Sequence, residues 1–276
     1  MANPRQLLAQ YDLHPKKKLG QNFLHDPNAL AKIVAVADVA RADRVLEVGP
    51  GTGALTRALA AQAASVISIE IDTSLQPILA AQLAAYDNVS LVWQDVLTVD
   101  VPALMGDGPY KLVANLPYYI TSAILRHFLE NPRPPQSMTV MVQKQVAERI
   151  VAKPGDMSLL AVSVQYYGDP QIMMSLPPSV FWPRPDVQSA VVHMSLYGES
   201  VLDVPDDETF FRVVRAGFGQ KRKQLRNALA HGLALSNDDA LMILDAGGVD
   251  STRRAETLAL EEWAALARAY AALAPF

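Results

Sequence analysis

Arg44-Val45-Leu46-Glu47-Val48-Gly49-Pro50-Gly51-Thr52-Gly53 runs from an apolar stretch into three glycines, and Ala54 to Ala64 follows. The apolar stretch reads as a buried strand and the Ala54 segment as a helix. Glycines between them let the backbone turn sharply and come close to a ligand. Strand, glycine turn and helix in that order open a doubly wound α/β sheet.

Working outward, Val66 to Glu70 reads as a second strand, Ser74 to Ala85 as a helix and Val89 to Trp93 as a third strand. Tyr110 to Ala114 is the fourth, followed by a helix over Ile120 to Leu129 and a fifth strand over Met138 to Val142. A helix begins between Gln145 and Val151, and two late strands are expected at Leu160 to Tyr167 and Ser189 to Leu196. The alternation predicts a mostly parallel Rossmann-like sheet, with an antiparallel strand at one edge. Tyr197 to Asp207 is polar and reads as a linker. Beyond it, Phe211, Val214 and Phe218 share a helix face, as do Leu225, Leu229 and Leu233. Asp238 to Leu244 and Arg254 to Leu273 are helical too. The expected organisation is a catalytic α/β domain over residues 1–198 and a small all-helical domain over 199–276.

Composition narrows the function classes. The 276 residues are half hydrophobic and 19% charged, as in ordinary globular proteins. No run of 18 or more apolar residues occurs, so no transmembrane helix and no membrane partner is expected. The N-terminal residues do not read as a signal peptide. Cysteine is absent, which excludes disulfides, thiolate catalysis and Cys-based zinc sites. A cytoplasmic protein is expected. The five histidines have neither metal nor triad spacing, and no metal is expected.

The strand ends carry the chemistry. Gly49, Gly51 and Ala54 also satisfy the dinucleotide fingerprint, which keeps an NAD-dependent oxidoreductase open as a reading. Glu70 closes the second strand, where a carboxylate can hold ribose hydroxyls. Asp95 follows the third strand and can accept from an adenine amino group; an Asp there also suits a turn cap. Asn115-Leu116-Pro117-Tyr118 follows the fourth. Its amide can accept hydrogen bonds from an exocyclic amine, and its ring can stack on a base. Those are the needs of an enzyme that alkylates an adenine amino group.

With these elements in place, the chain resembles the ribosomal RNA adenine N6-dimethyltransferases. The resemblance covers nearly the whole chain. It runs through Leu19-Gly20-Gln21-Asn22-Phe23-Leu24, the Glu47 to Gly53 loop, Glu70, Asp95 and Asn115 to Tyr118. It continues through Phe181-Trp182-Pro183-Arg184-Pro185-Asp186-Val187-Gln188-Ser189 and ends in Phe218-Gly219-Gln220-Lys221-Arg222-Lys223. Tyr119 departs from it, since Asn is common at that place. The resemblance implies S-adenosylmethionine as cofactor. Asn22 and Leu24 would close over it, Gly49 and Gly51 would pass close to it, Glu70 would hold its ribose and Asp95 its adenine. Asn115 would lie at its methionine end, and Phe181 would cover one face of the target base. The substrate implied is two adjacent adenines near the 3′ end of 16S rRNA in the assembling small ribosomal subunit, and a monomer is expected.

The amide oxygen of Asn115 and the Leu116 carbonyl are expected to accept the two N6 hydrogens. Pro117 would fix the bend and Tyr118 would stack. Thr209 to Asn237 holds six Lys or Arg residues and no acidic one. Arg215, Lys221, Arg222, Lys223 and Arg226 are the expected RNA contacts, with Arg222 and Arg226 on one helix face. Lys16 to Lys18 would add a second contact. The nearest rival is a 23S rRNA adenine N6-methyltransferase of the macrolide-resistance type. A non-catalytic assembly factor is a third reading.

Overall fold

In the computed structural model, residues 3–198 and 201–273 are described, so the expected boundary at 198/199 falls at the edge of the described residues. The chain divides into two compact units. Met1–Ala147 and Asp169–Leu196 form the first; Glu148–Gly168 and Tyr197–Phe276 form the second.

The first unit is built on β1 (Phe23–Leu24), β2 (Arg44–Val48), β3 (Ser65–Glu70), β4 (Val89–Trp93), β5 (Lys111–Asn115), β6 (Ser137–Gln143), β7 (Gly168–Leu176), β8 (Phe181–Trp182) and β9 (Ser189–Leu196). Seven of these form one sheet in the order β4-β3-β2-β5-β6-β9-β7. The pairs from β4 through β6 are parallel, and β9 runs antiparallel to β6. The antiparallel strand therefore lies one in from the edge, with β7 outermost. Strands buried on both faces read as continuous apolar runs, and β5 and β6 do so. The helices of this part of the chain are α1 (Pro4–Gln10), α2 (Pro27–Val36), α3 (Ala54–Ala60), α4 (Gln76–Leu83), α5 (Val101–Met105), α6 (Thr121–Leu129) and α7 (Lys144–Ile150).

Local chemistry explains where they start. Asp26 accepts from the Ala29 N–H at 2.8 Å, and Pro27 opens α2 with its φ already helical. Ala29, Leu30, Ile33 and Val34 then face the core. On α6, Thr121, Ile124, Leu125, Phe128 and Leu129 are buried with the same period.

The strand order fixes the site. The chain starts the sheet at β2, builds outward through β3 and β4, then returns to β2's other side with β5. Register is continuous across that reversal: Val48 pairs with Ile69 on one side and with Ala114 on the other. The carboxyl ends of β2, β3 and β5 thus meet at the topological switch point, where open α/β sheets bind ligands.

The second unit holds α8 (Leu159–Gln165), α9 (Asp207–Phe218), α10 (Leu225–Gly232), α11 (Asn237–Ala246) and α12 (Leu260–Leu273). The strand expected at Leu160 to Tyr167 is helix α8 instead. Ser158 caps it, accepting from the Ala161 N–H at 3.2 Å. A short apolar run with valines cannot be told from a strand by periodicity alone, and here the cap decides. Residues 148–168, which the sequence reading leaves with the first domain, pack in the second unit. They bring Met157, Ala161, Val162 and Tyr166 into its core with Phe210 and Trp263. Tyr166 stacks on Phe210 at 4.5 Å between ring centroids. Residues 201–206 are irregular as expected, and Asp206 then caps α9 through the Thr209 N–H at 2.7 Å.

Candidate active site

A cavity of about 210 Å³ opens at the strand ends of the first unit. Asn22, Leu24, Gly49, Gly51, Glu70, Asp95, Asn115, Leu116, Pro117 and Tyr118 all line it. These residues come from five separate stretches of sequence, and the switch point brings them together.

The glycine loop behaves as its sequence asks. Gly49 and Gly51 sit at φ +71° and +57°, where an L side chain is strained. A Cβ on Gly51 would also come within 2.9 Å of the Phe23 ring. Phe23 belongs to β1, which pairs with β8: Phe23 faces Trp182 and Leu24 faces Phe181. The Leu19 to Leu24 and Phe181 to Ser189 elements of the resemblance, far apart in the sequence, therefore hold each other beside the glycine loop.

Glu70 is 6% exposed. One carboxylate oxygen accepts from the Gly51 N–H at 3.3 Å and the other from the Asp72 N–H at 2.8 Å. Burial pushes its carboxyl up, and these backbone bonds oppose the rise. Asp95 serves as the cap of a short turn, accepting from the Leu97 N–H at 3.0 Å, and it lines the cavity as well. The two sequence readings of Asp95 are compatible. Glu47, which opens the glycine stretch, does not line the cavity. It is 1% exposed, and its Oε2 accepts from Ser68 Oγ at 2.7 Å. Burial raises its carboxyl to about 7 against that bond.

At the end of β5 the amide of Asn115 is oriented. Its Nδ2 donates to the Asn22 carbonyl at 3.1 Å, which leaves Oδ1 free to accept. The Leu116 N–H is bound to the Met141 carbonyl at 3.1 Å. The Pro117 carbonyl accepts from the Ile120 N–H at 3.3 Å and from Thr121 Oγ1 at 3.0 Å, so the bend runs directly into α6. Tyr118 and Ser189 share a hydrogen bond of 2.6 Å between their hydroxyls. Ser189 starts β9, so the late strand of the sheet braces the ring.

Phe181 is the exception. It is 1% exposed, packed in the core beside Leu24, and absent from the cavity lining. A ring that buried cannot lie on a base in this structure, so the expected second stacking face is not formed by Phe181 here.

The sequence reading misses several cavity residues. Ile71 and Leu97, which follow Glu70 and Asp95 in sequence, are 50% and 36% exposed and line the cavity. Their signal is an apolar residue shortly after each strand-end acid. The pairing of Lys16 and Gln21 with Asp72 is missed as well. Lys16 Nζ lies 2.5 Å from Asp72 Oδ1, so of the three N-terminal lysines this one is already paired. No group of three or more His, Asp or Glu side chains among the described residues is placed to hold a metal ion. No helix is long and apolar enough to cross a membrane among them.

In the second unit, Arg215 is exposed on α9, while Lys221, Arg222 and Lys223 are exposed in the turn that follows. Arg222 is not on α10, so it does not share a helix face with Arg226. Gln220 closes the turn through the Lys223 N–H at 2.9 Å, and α10 starts only at Leu225. Gly219 suits the break, since a Cβ there would sit 3.2 Å from the Arg215 carbonyl. Arg226 is partly buried, with its Nε enclosed. None of the five enters an ion pair among the described residues.

A profile of the family described as ribosomal RNA adenine dimethylase matches residues 13–271. A protein of Dehalococcoides mccartyi named ribosomal RNA small subunit methyltransferase A is 47% identical over 272 residues, covering 98% of this chain and 94% of its own. The crystal structure of the 23S rRNA methyltransferase ErmE superposes with a TM-score of 0.72 at 29% identity, over 90% of this chain and 99% of that one. A dimethyladenosine transferase from Plasmodium falciparum shares the fold, with a TM-score of 0.77 at 24% identity over 88% of this chain and 95% of its own. With the family profile spanning both units and a relative this similar over almost its full length, the chain belongs to the ribosomal RNA adenine dimethylase family.

Proposed function

We propose that this enzyme transfers methyl groups from S-adenosylmethionine to N6 of two adjacent adenines near the 3′ end of 16S rRNA. The single observation that carries the chemistry is the Asn115 amide, which lines the cavity and whose Nδ2 is fixed on the Asn22 carbonyl, leaving Oδ1 as its acceptor.

The cavity fits the cofactor. Positive φ at Gly49 and Gly51 lets main chain, without side chains, line one wall. Glu70 offers acceptors for ribose hydroxyls, and Asp95 offers one for an adenine amine. Ile71 and Leu97 supply exposed apolar surface for a flat purine beside them. When bound, S-adenosylmethionine supplies an electrophilic methyl group on a sulfonium.

The residues of the chain do the rest by positioning. The N6 lone pair of adenine is delocalised into its ring, so the amine is a poor nucleophile. Asn115 Oδ1 and the Leu116 carbonyl accept its two hydrogens. That favours a more tetrahedral nitrogen with its lone pair directed at the methyl group. Pro117 and the Thr121 hydroxyl hold the bend that aims both acceptors. Tyr118, braced by Ser189, stacks on the flipped base; such stacking is worth roughly 1–3 kcal/mol. The alkylated amine is acidic enough to lose its proton to water, so no strong base is needed. Arg215 and Lys221 to Lys223 hold phosphates, which position RNA without reading its sequence.

The small-subunit reading is favoured over the 23S one by similarity. The relative named for the small subunit is 47% identical, and the 23S methyltransferase 29%. Mapping methyl groups by mass spectrometry on immature small subunits and on protein-free 23S rRNA tests it. Paired N6,N6-dimethyladenosines in the 16S 3′ region alone are expected. Modification confined to 23S rRNA would overturn the assignment.

A further inference from the structure

We propose that Asp72 is a clasp that holds residues 16–22 across the mouth of the cavity, and that through this segment it positions the Asn115 amide. The proposal rests on the cavity being the S-adenosylmethionine site.

Asp72 lies two residues beyond Glu70 and is 4% exposed. Its Oδ1 accepts from Lys16 Nζ at 2.5 Å, from Ser74 Oγ at 2.5 Å and from the Ser74 N–H at 3.1 Å. Its Oδ2 accepts from Gln21 Nε2 at 2.8 Å. Gln21 in turn accepts from the Lys16 N–H through Oε1, also at 2.8 Å. Lys16, Gln21 and Asp72 thus form a closed ring of hydrogen bonds. Capping the turn over Thr73–Leu75 needs one oxygen and one donor, both satisfied through Ser74. The second oxygen and the lysine charge go to the N-terminal segment. Burial would push the Asp72 carboxyl up, but the bonds from Lys16, Ser74 and Gln21 outweigh it and hold it below the usual range.

The segment has a second anchor. The Asn22 carbonyl accepts from Asn115 Nδ2 at 3.1 Å, and Asn22 Nδ2 ties back to the Gly20 carbonyl at 3.0 Å. Gly20, at φ +60°, lies against the Tyr119 ring, which a Cβ would meet at 3.3 Å. Leu19 to Asn22, which include both anchoring residues Gln21 and Asn22, line the cavity. One anchor stands after β3 and the other at the end of β5, the two strands that flank β2. The segment therefore joins the cofactor side of the cavity to the side that orients the amine.

Asp72→Asn turns a −NH2 toward donors that now share a carboxylate, so it disfavours the clasped segment. A segment clasped only part of the time lowers apparent cofactor affinity by the clasped fraction. It also frees the Asn115 amide, so turnover falls even when cofactor saturates. The test uses the full chain. S-adenosylmethionine binding is measured by calorimetry, and single-turnover methylation is measured on immature small subunits. Tryptic cleavage after Lys17 and Lys18 is followed without cofactor.

Asp72→Asn is expected to weaken cofactor binding roughly tenfold or more, to lower the saturated rate, and to speed cleavage. Lys16→Met, at a side chain 47% exposed, cannot unfold the core and should move all three in the same direction by less. Lys16→Arg should restore them. A role confined to capping predicts a lower Tm with wild-type saturated rate, and an unchanged Lys16→Met; that result overturns the proposal. If the wild type binds no S-adenosylmethionine, the cofactor reading fails. The cleavage rates then still decide whether Asp72 clasps the segment.

Discussion

The cavity at the strand ends and the basic stretch of the helical unit hold their polar groups in opposite ways. In the cavity, Asn115, Asn22 and Glu70 each commit part of their hydrogen-bonding capacity to the protein, at 3.0 to 3.3 Å. What remains free is aimed. In the basic stretch, Arg215 and Lys221 to Lys223 are exposed, and they form no ion pair among the described residues. Fixed groups suit chemistry, where an acceptor misplaced by about 1 Å costs about a hundredfold. Exposed charges outside ion pairs suit capture of a flexible polyanion, where orientation is adjusted after the first encounter and salt screens the attraction.

The largest effect is expected at Asn115. Asn115→Ala should lower single-turnover methylation by about a thousandfold, on the scale of losing one preorganised hydrogen-bonding group in other active sites. Cofactor affinity by calorimetry should fall far less than the rate, since Glu70, Asp95, the glycine loop and the Asp72 anchor are untouched even though the Asn22 anchor is lost. Gly51→Val attacks the same cavity from the cofactor side. A β-branched side chain at φ +57°, directed into the Phe23 ring, should cost roughly a hundredfold in S-adenosylmethionine affinity, with RNA binding retained.

The basic stretch should respond to charge alone. Reversing Arg215, Lys221, Arg222 and Lys223 to Glu should weaken RNA binding by roughly a hundredfold at moderate salt. The slope of log affinity against log salt should shrink by about one for each phosphate no longer held. Cofactor binding should not change.

The smallest effect concerns stability. Glu47 is held near pKa 7 in the fold, above its ordinary 4.5. The folded state therefore binds the extra proton between those values. Its contribution is fully present below about pH 4.5 and is lost as pH rises through about 7. Glu47→Gln, an uncharged isostere, should raise the thermal midpoint relative to wild type at about pH 8 and leave it nearly equal at about pH 5. The difference should be on the order of 1–3 kcal/mol. Equal midpoints at both would mean that Glu47 does not titrate in this range.

The two regions also differ in how legible they are in the sequence. Gly49, Glu70, Asp95 and Asn115 can be read because each stands at a strand end, and a parallel sheet brings successive strand ends to one edge. Their cavity follows from topology. Asp72, Lys16 and Gln21 cannot be read that way, because their hydrogen bonds cross more than fifty residues and depend on where an irregular N-terminal segment comes to lie. Phe181 carries a motif, but its burial is decided by pairing with Leu24, which no local pattern encodes. Leu159–Gln165 misleads because its leucines and valines fit a strand as well as a helix, and the Ser158 cap carries the difference. In the basic stretch, charge is legible and geometry is not. The chain leaves α9 at Gly219 and re-enters a helix only at Leu225, so spacing by four does not place Arg222 and Arg226 on one face.

Saturation separates the two regions most directly. Single-turnover methylation of immature small subunits would be measured for Asn115→Ala and for the charge-reversed Arg215/Lys221/Arg222/Lys223 variant, each at rising RNA and saturating S-adenosylmethionine. The charge-reversed enzyme should regain the wild-type rate once RNA saturates, and Asn115→Ala should stay about a thousandfold slower at every concentration. A wild-type rate for Asn115→Ala at saturation would contradict the account, because the amide would then not orient the reacting amine.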